Sequence, residues 1–425
     1  MTNSESPLTN SVHAGYDPRE HFGSVIPPLY PSVAFEFGDF DRSLRLANGQ
    51  EAGFTYGRSG NPTVHTLEGR VSALSGGGQV TAFASGMAAV SGALLNILRP
   101  GDRVISSTEL YGHSFDLLDR ALPEFGIETD FVSNINDPEA LAAAVTPRTR
   151  AVFAETVSNP FTTLLDTATV ARVAHEHRIP LIVDNTIPTP FLYDPAQLGA
   201  DIVVYSSTKG INGHGNAIGG LVVDAGSFDW SGGLFPQFTE PTPFLADHAT
   251  GQARSFVELF GADAYHQRLR KWQLQLFGGI LGPFEAYLTV LGLETLPQRL
   301  TQQVASGTRV AAWLAKQPNV VRVHYSGLDE SSRENFPRGV GGVLSFELAG
   351  DESSVRGFFS GLQLFSLSAN IGDARSLAVQ PLRITHRDRH PSFEITPTLV
   401  RLSIGLEDPD DLIADLARGL DAAFE

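Results

Sequence analysis

From Gln79 to Val223 the chain repeats one pattern: a short apolar run, a stretch with helical character, then another apolar run. The runs are Val80-Thr-Ala-Phe-Ala84, Arg103-Val-Ile-Ser106, Ala151-Val-Phe-Ala154, Ile179 to Val183, Asp201 to Tyr205 and Gly220-Leu-Val-Val223. Strands alternating with helices build βαβ units on a mostly parallel sheet, so the chain is read as an α/β protein. In such folds ligands gather at the carboxyl ends of the strands. Polar residues that follow these runs are therefore the first place to look for chemistry.

On either side of this region the pattern changes. The first stretch, to about Gly60, is rich in Pro, Gly and aromatics (Val25-Ile-Pro-Pro-Leu-Tyr-Pro31) and reads as an extended arm with little core of its own. After Phe260 comes a long helix-like segment, Ala264 to Thr295, interrupted at Gly278, Gly279 and Pro283. A second helical run, Gln302 to Leu314, precedes strand-like Val320 to His324 and Gly342 to Leu348, a smaller α+β unit. The expected division is 1–60 for the arm, 61–262 for the large α/β domain and 263–425 for the α+β domain.

At 425 residues the chain is long enough for two domains and a large core. Its formal net charge of -17 argues against a nucleic-acid partner, since binders of the phosphate backbone carry basic surfaces. No apolar run is long enough to span a bilayer, and the polar N-terminus lacks a signal pattern, so the expected location is the cytoplasm, away from membranes. With no cysteine, disulfides, thiolate metal sites and a cysteine nucleophile are excluded. The 12 histidines, His113, His214 and His386 among them, form no ligand pair such as H-E-x-x-H, and no metal is expected. The glycines from Gly210 to Gly220 do not follow the G-x-G-x-x-G order of a dinucleotide site.

Only three lysines occur: Lys209, Lys271 and Lys316. Lys209 closes the run that begins at Ile202, in Ser206-Ser-Thr-Lys209, and Asp184 ends Leu181-Ile-Val, 209 − 184 = 25 positions earlier. A strand-end acid followed by a strand-end lysine with hydroxyls beside it suits pyridoxal phosphate (PLP). Its aldehyde takes a lysine amine as a Schiff base, its ring nitrogen takes a carboxylate, and its phosphate takes hydroxyls and peptide N–H groups. Ser206 and Thr208 offer the hydroxyls, and Gly86 and Met87, ahead of the helical run Ala88 to Leu98, offer N-terminal amides. Taken singly, each has a duller reading: Lys209 as a solvated lysine, Asp184 as a satisfied strand-end acid, Tyr111 as a core aromatic, Arg401 as half of an ion pair.

Together these residues and several longer motifs resemble the PLP-dependent enzymes of Cys/Met metabolism, the trans-sulfuration enzymes, from His13-Ala-Gly-Tyr-Asp-Pro18 to Asp410. The resemblance is nearest to the O-acetylhomoserine sulfhydrylase branch, through Phe235-Pro-Gln-Phe-Thr-Glu-Pro241, Gly292-Leu-Glu-Thr-Leu296, Ala369-Asn-Ile-Gly-Asp-Ala-Arg-Ser-Leu377 and Leu399-Val-Arg-Leu-Ser-Ile-Gly405. It implies the aspartate-aminotransferase-like fold of PLP enzymes (fold type I). It also implies that Lys209 carries the cofactor and moves protons, that Asp184 pairs with the ring nitrogen, and that Tyr111 stacks on the ring and assists at the leaving group. Asn159 would lie near the phenolic oxygen, and Gly86, Met87, Ser206 and Thr208 would form the phosphate cup. Tyr56 and Arg58 would reach the phosphate of a neighbouring subunit, which implies at least a dimer and, for this family, a homotetramer. Arg401 would grip the substrate carboxylate, a planar guanidinium matching it with two parallel hydrogen bonds, with Asn370 nearby.

The implied reaction is γ-replacement on an O-acylated homoserine by sulfide or a thiol, through a vinylglycine-type intermediate. A γ- or β-lyase, or γ-substitution by a non-sulfide nucleophile, shares the early steps. Departures from the family pattern bear on substrate choice. Pro381-Leu-Arg-Ile-Thr-His386 stands where the branch reads Pro-Ala-Ser-Thr-Thr-His, Gly210 replaces a frequent aromatic, and Pro31 a frequent glutamine. Leu382 would narrow the pocket, and Arg383 would either select an anionic co-substrate or a non-sulfide nucleophile, or turn outward to an acidic neighbour.

Overall fold

The computed structural model describes residues 6–247, 250–387 and 389–425. Seven strands form the large sheet: β1 (Gln79–Phe83), β2 (Arg103–Ser107), β3 (Glu128–Val132), β4 (Thr149–Glu155), β5 (Leu181–Asp184), β6 (Ile202–Tyr205) and β7 (Gly220–Asp224). Their spatial order is β1-β7-β6-β5-β4-β2-β3. All pairs are parallel except the two made by β7, which runs antiparallel between β1 and β6. The alternation along each strand explains why both faces are covered. Val152, Ala154, Leu181, Val183 and Val203 face one apolar cluster, while Ala151, Phe153, Ile182, Ile202 and Val204 face the other.

β3 lay outside the apolar runs because its sequence, Glu128-Thr-Asp-Phe-Val132, buries only Val132. It is an edge strand held by pairing with β2, and Glu128 and Asp130 form ion pairs with Arg103 of β2.

The second sheet has β8 (Val320–His324), β9 (Val343–Leu348), β10 (Ser366–Leu367), β11 (Leu377–Val379) and β12 (Leu399–Ser403), in the order β10-β11-β12-β9-β8. The helix-like stretch expected over Ala264 to Thr295 is two helical segments. The first, from Ala264 to Phe277, ends at Gly278, whose φ of 79° is a left-handed helix cap, and the second starts at Pro283. Between them Ile280 bridges to Phe83 of β1.

Packing after residue 263 involves both sheets. Ala264, Leu269, Leu274, Ala286, Val290, Leu293, Leu296 and Leu300 all join the clusters on the large sheet. Val310, Ala311 and Leu314 join the cluster of the small one. The changeover falls inside the helix Leu296–Leu314, because one amphipathic helix lays its two halves on different sheets. Among the described residues no helix is long and apolar enough to cross a membrane.

Candidate active site

The carboxyl ends of the parallel strands converge with β12 on a cavity of about 220 Å³, lined by residues from both sheets. Asp184 ends β5, Glu155 ends β4 beside it in register, and Ser206, Thr208 and Lys209 follow β6. After β1, Ser85 caps the helix Gly86–Leu95, its hydroxyl accepting from the Ala88 N–H at 3.1 Å. The first N–H groups of that helix have no intrahelical partner and point outward from its positive end. A Cβ on Gly86 would sit 2.7 Å from Ser206 Cβ, so glycine lets the helix start approach the turn after β6.

Arg401 comes from the middle of β12, where it is 2 % exposed. One terminal nitrogen donates to Asn159 Oδ1 at 3.2 Å, the other to the carbonyl oxygens of Ala369 and Asn370 at 3.2 Å. Among the described residues its Nε has no partner. A buried guanidinium held by neutral groups, with a donor to spare and no carboxylate of its own, is set to take an anion from outside the chain. Behind it the buried His386 donates its Nε2–H to the Asn159 carbonyl at 2.8 Å while Nδ1 accepts from the Thr385 hydroxyl at 2.8 Å. Burial pushes the His386 imidazolium down to about 3, so the ring stays neutral.

Lys209 Nζ bonds Asn370 Oδ1, and Asn370 in turn donates to both oxygens of Asp373 at 2.9 Å. Burial first, and the Arg401 charge second, lower the Lys209 amine to about 8. A substantial share of it is then neutral near physiological pH and nucleophilic. Burial raises the Tyr111 phenol and the carboxyls of Asp184 and Glu155. Tyr111 is fixed at its peptide: its N–H donates to Glu155 Oε1 at 2.6 Å.

Gly86, Met87, Tyr111, Asn159, Asp184, Ser206, Thr208, Lys209 and Arg401 all line this one cavity, and Asn370 touches Lys209 at its rim. Tyr56 and Arg58 do not. Arg58 lies over the Tyr56 ring, 5.6 Å from its centroid, and donates to the Gln275 carbonyl at 2.7 Å. Arg383 also lies off the cavity, in the outward-turned arrangement: its side chain is 66 % exposed and pairs with Glu352 at 3.2 Å. Leu382 packs instead with Phe161, Phe393, Ile395 and Leu399 in a separate apolar cluster. His214 shapes the turn after Lys209, with Nδ1 bonded to the Asn212 carbonyl at 2.7 Å. Among the described residues no group of three or more His, Asp or Glu could hold a metal.

The sequence reading passed over Glu155, Ser85, Thr186 and an apolar wall of Val157, Ile187, Ile218 and Ile371. Glu155 had a signal, since it follows a strand-like run as Asp184 does. The apolar wall had none, because such residues mark core and pocket alike.

An amine, a half-buried carboxyl on the neighbouring strand, a helix start beside two hydroxyls and a guanidinium with a donor to spare fit PLP and an amino-acid carboxylate. The comparisons agree. The family model for the Cys/Met metabolism PLP-dependent enzyme matches residues 8–421. An O-acetyl-L-homoserine sulfhydrylase of Leptospira meyeri is 40% identical over 99% of this chain and 98% of its own length. The homocysteine synthase of Schizosaccharomyces pombe is 38% identical, covering 99% of each chain, and the L-methionine gamma-lyase of Pseudomonas putida is 37% identical over 98% of this chain and 97% of its own. A crystal structure from Campylobacter jejuni, described as a candidate O-acetylhomoserine (thiol)-lyase and containing N′-pyridoxyl-lysine-5′-monophosphate, superposes with a TM-score of 0.91 at 32% identity, covering 98% of this chain and 100% of that one.

Proposed function

We propose that this chain, which belongs to the PLP-dependent enzymes of Cys/Met metabolism, is a transferase that replaces the γ-substituent of O-acetyl-L-homoserine with sulfide or a thiol, giving homocysteine or an analogue. The observation that carries this reading is near-full-length similarity, at 37–40% identity, to four proteins named as O-acetylhomoserine sulfhydrylases or homocysteine synthase. A cavity with one amine and one unsatisfied guanidinium supports it.

PLP supplies an aldehyde for amine exchange and an electron-poor ring that takes up the electron pair left when a C–H bond beside nitrogen breaks. In this reading Asp184 pairs with its ring nitrogen, Asn159 lies at its phenolic oxygen, and the peptide N–H groups of Gly86 and Met87 hold its phosphate with Ser206 and Thr208. Lys209 holds the cofactor covalently. The same Nζ, when free, would carry protons at the substrate's Cα and Cβ, a task suited to an amine lowered to about 8. Arg401 orients the substrate through its carboxylate, with Asn370 beside it, and Tyr111 assists at the γ-substituent. Acetate leaves far more readily than hydroxide, which favours the acylated substrate over free homoserine. Val157, Ile187 and Ile371 give the site an apolar wall, and exclusion of water there would favour capture of a nucleophile over hydrolytic release.

The second reading, γ-elimination to a 2-oxo acid and ammonia, is supported by the methionine gamma-lyase relative. Product analysis by mass spectrometry, with O-acetylhomoserine in the presence and absence of sulfide, separates the two. Homocysteine that appears only with sulfide is the expected result. 2-Oxobutyrate in both samples would overturn replacement in favour of elimination.

For the assembly we infer a homotetramer, located in the cytoplasm, in which Tyr56 and Arg58 complete the phosphate site of a neighbouring subunit. Their place off the chain's own cavity supports this. So does the arm, which leaves Phe22, Val25, Val33 and Phe40 exposed.

A further inference from the structure

Glu155 stands between two cavities. On one side it lines the active site, next to Asp184 in the register of β4 and β5. On the other it lines a separate cavity of about 240 Å³, whose wall is part polar (Ser107, Glu109, Ser133, Asn134 and Ser158) and part apolar (Ile135, Ala154, Leu164 and Leu165). Ser133 and Asn134 are exposed, so this second space opens to solvent. Ser158 donates its hydroxyl to Glu109 Oε2 at 2.9 Å and accepts from the Thr163 N–H at 3.0 Å. The hydroxyl and amide groups on its polar side give water partners within reach of Glu155.

The groups around Glu155 decide its charge. Its donors are peptide N–H groups, from Tyr111 at 2.6 Å and from Asn159, and these favour the anion. Against them stand burial and the carboxyls of Asp184 and Glu109; burial is the largest effect, and the balance holds the Glu155 carboxyl well above the usual carboxylate range. Across the cavity, Lys209 is engaged with Asn370, and Arg401 with Asn159 and the carbonyls of Ala369 and Asn370. Two adjacent half-buried carboxyls cannot both ionise cheaply, and one is left with a proton.

We propose that Glu155 is a positioning residue that works as a neutral acid: it fixes the peptide of Tyr111, leaves Asp184 as the one negative charge at the ring-nitrogen end of the site, and exchanges its proton with solvent through the second cavity. Only a proton moves, between the Glu155 carboxyl and water. The assignment is independent of which nucleophile enters, since its tests read cofactor binding and folding, not turnover.

Glutamine is the isostere of the neutral acid and keeps an oxygen for the Tyr111 N–H; alanine keeps neither shape nor acceptor. Apoprotein of the wild type, E155Q and E155A is titrated with PLP and followed by the cofactor's absorbance. E155Q should bind within about threefold of wild type and E155A about tenfold or more weaker, the effect of a lost buried acceptor. E155Q as weak as E155A would mean that the carboxylate is needed, and E155A equal to wild type that nothing is positioned; either overturns the proposal.

A second readout covers the case in which E155A does not fold. With its pKa raised on folding, Glu155 binds more protons in the folded chain than in the unfolded one, so its burial costs stability as pH rises above the ordinary carboxylate range. Melting of the apoproteins between about pH 5 and 9 should therefore show E155Q gaining on wild type as pH rises. A gap that stays constant or closes overturns the neutral acid.

Discussion

At Lys209 the ionisation state decides how fast the cofactor is captured. Only the neutral amine attacks the aldehyde, so the rate at which apoprotein takes up PLP should rise with pH through about 8, seen as growth of the visible band of the lysine-bound cofactor. Because the Arg401 charge lowers that amine, Arg401→Gln should move the midpoint upward; a midpoint that stays put would mean the guanidinium does not act on Lys209. Arg401→Lys keeps a charge and loses the fork. It should reduce kcat/KM for the amino acid by about 10- to 100-fold, mostly through KM, as expected for charge-assisted hydrogen bonds of about 1.5–3 kcal/mol. Arg383→Ala should leave kcat/KM and the choice of nucleophile within about twofold, because an exposed ion pair contributes about 0–1 kcal/mol and touches no reacting group. Lys209 and Asp184 were legible because a charged residue ending an apolar strand is conspicuous. The direction of Arg383 was not, since its partner Glu352 lies 31 residues away and meets it only through the fold.

Among the elements, the helix Gly86–Leu95 and the turn after β6 form a pair set by one missing Cβ. Gly86→Ala adds a methyl 2.7 Å from Ser206 Cβ and must push the helix start and the hydroxyl turn apart. The apoprotein should still fold, while PLP affinity falls by about tenfold or more in a titration, the loss of one or two charge-assisted hydrogen bonds. Unchanged affinity would remove this helix start from the phosphate cup. The same logic explains Gly210, where an aromatic is frequent: a Cβ there would meet Thr189 at 3.1 Å, and one on Gly372 would meet the Gly210 nitrogen at 2.6 Å. Buried Arg299 clamps that turn, donating to the carbonyl oxygens of Gly210 at 2.9 Å and Ile211 at 3.2 Å. The strands β1, β2 and β4 to β7 were readable from their apolar runs. β3 and the two-residue β10 were not, because edge pairing stabilises them and their own side chains do not.

For the whole molecule, a shared site makes a prediction that a self-contained one does not. Arg58→Ala and Lys209→Ala subunits, each inactive alone, should on mixing recover about a quarter of the wild-type sites, since one of the two sites in each mixed dimer regains both residues. Activity of mixed subunits, after partial unfolding and reassembly, checks this; no recovery would confine each site to one chain. Local pattern determined the elements, and with them the class of fold and the polar strand ends, because periodicity and strand termini are properties of neighbouring residues. What only tertiary structure decided depended on distant segments meeting: Arg401 from β12 reaching Asn159 beyond β4, Glu155 lying against Asp184 with a second cavity behind it, Arg383 turning to Glu352, and one helix shared between two sheets. Which side chains share a space, and so which charges tune one another, follows from packing and burial, and these exist only once the chain has folded.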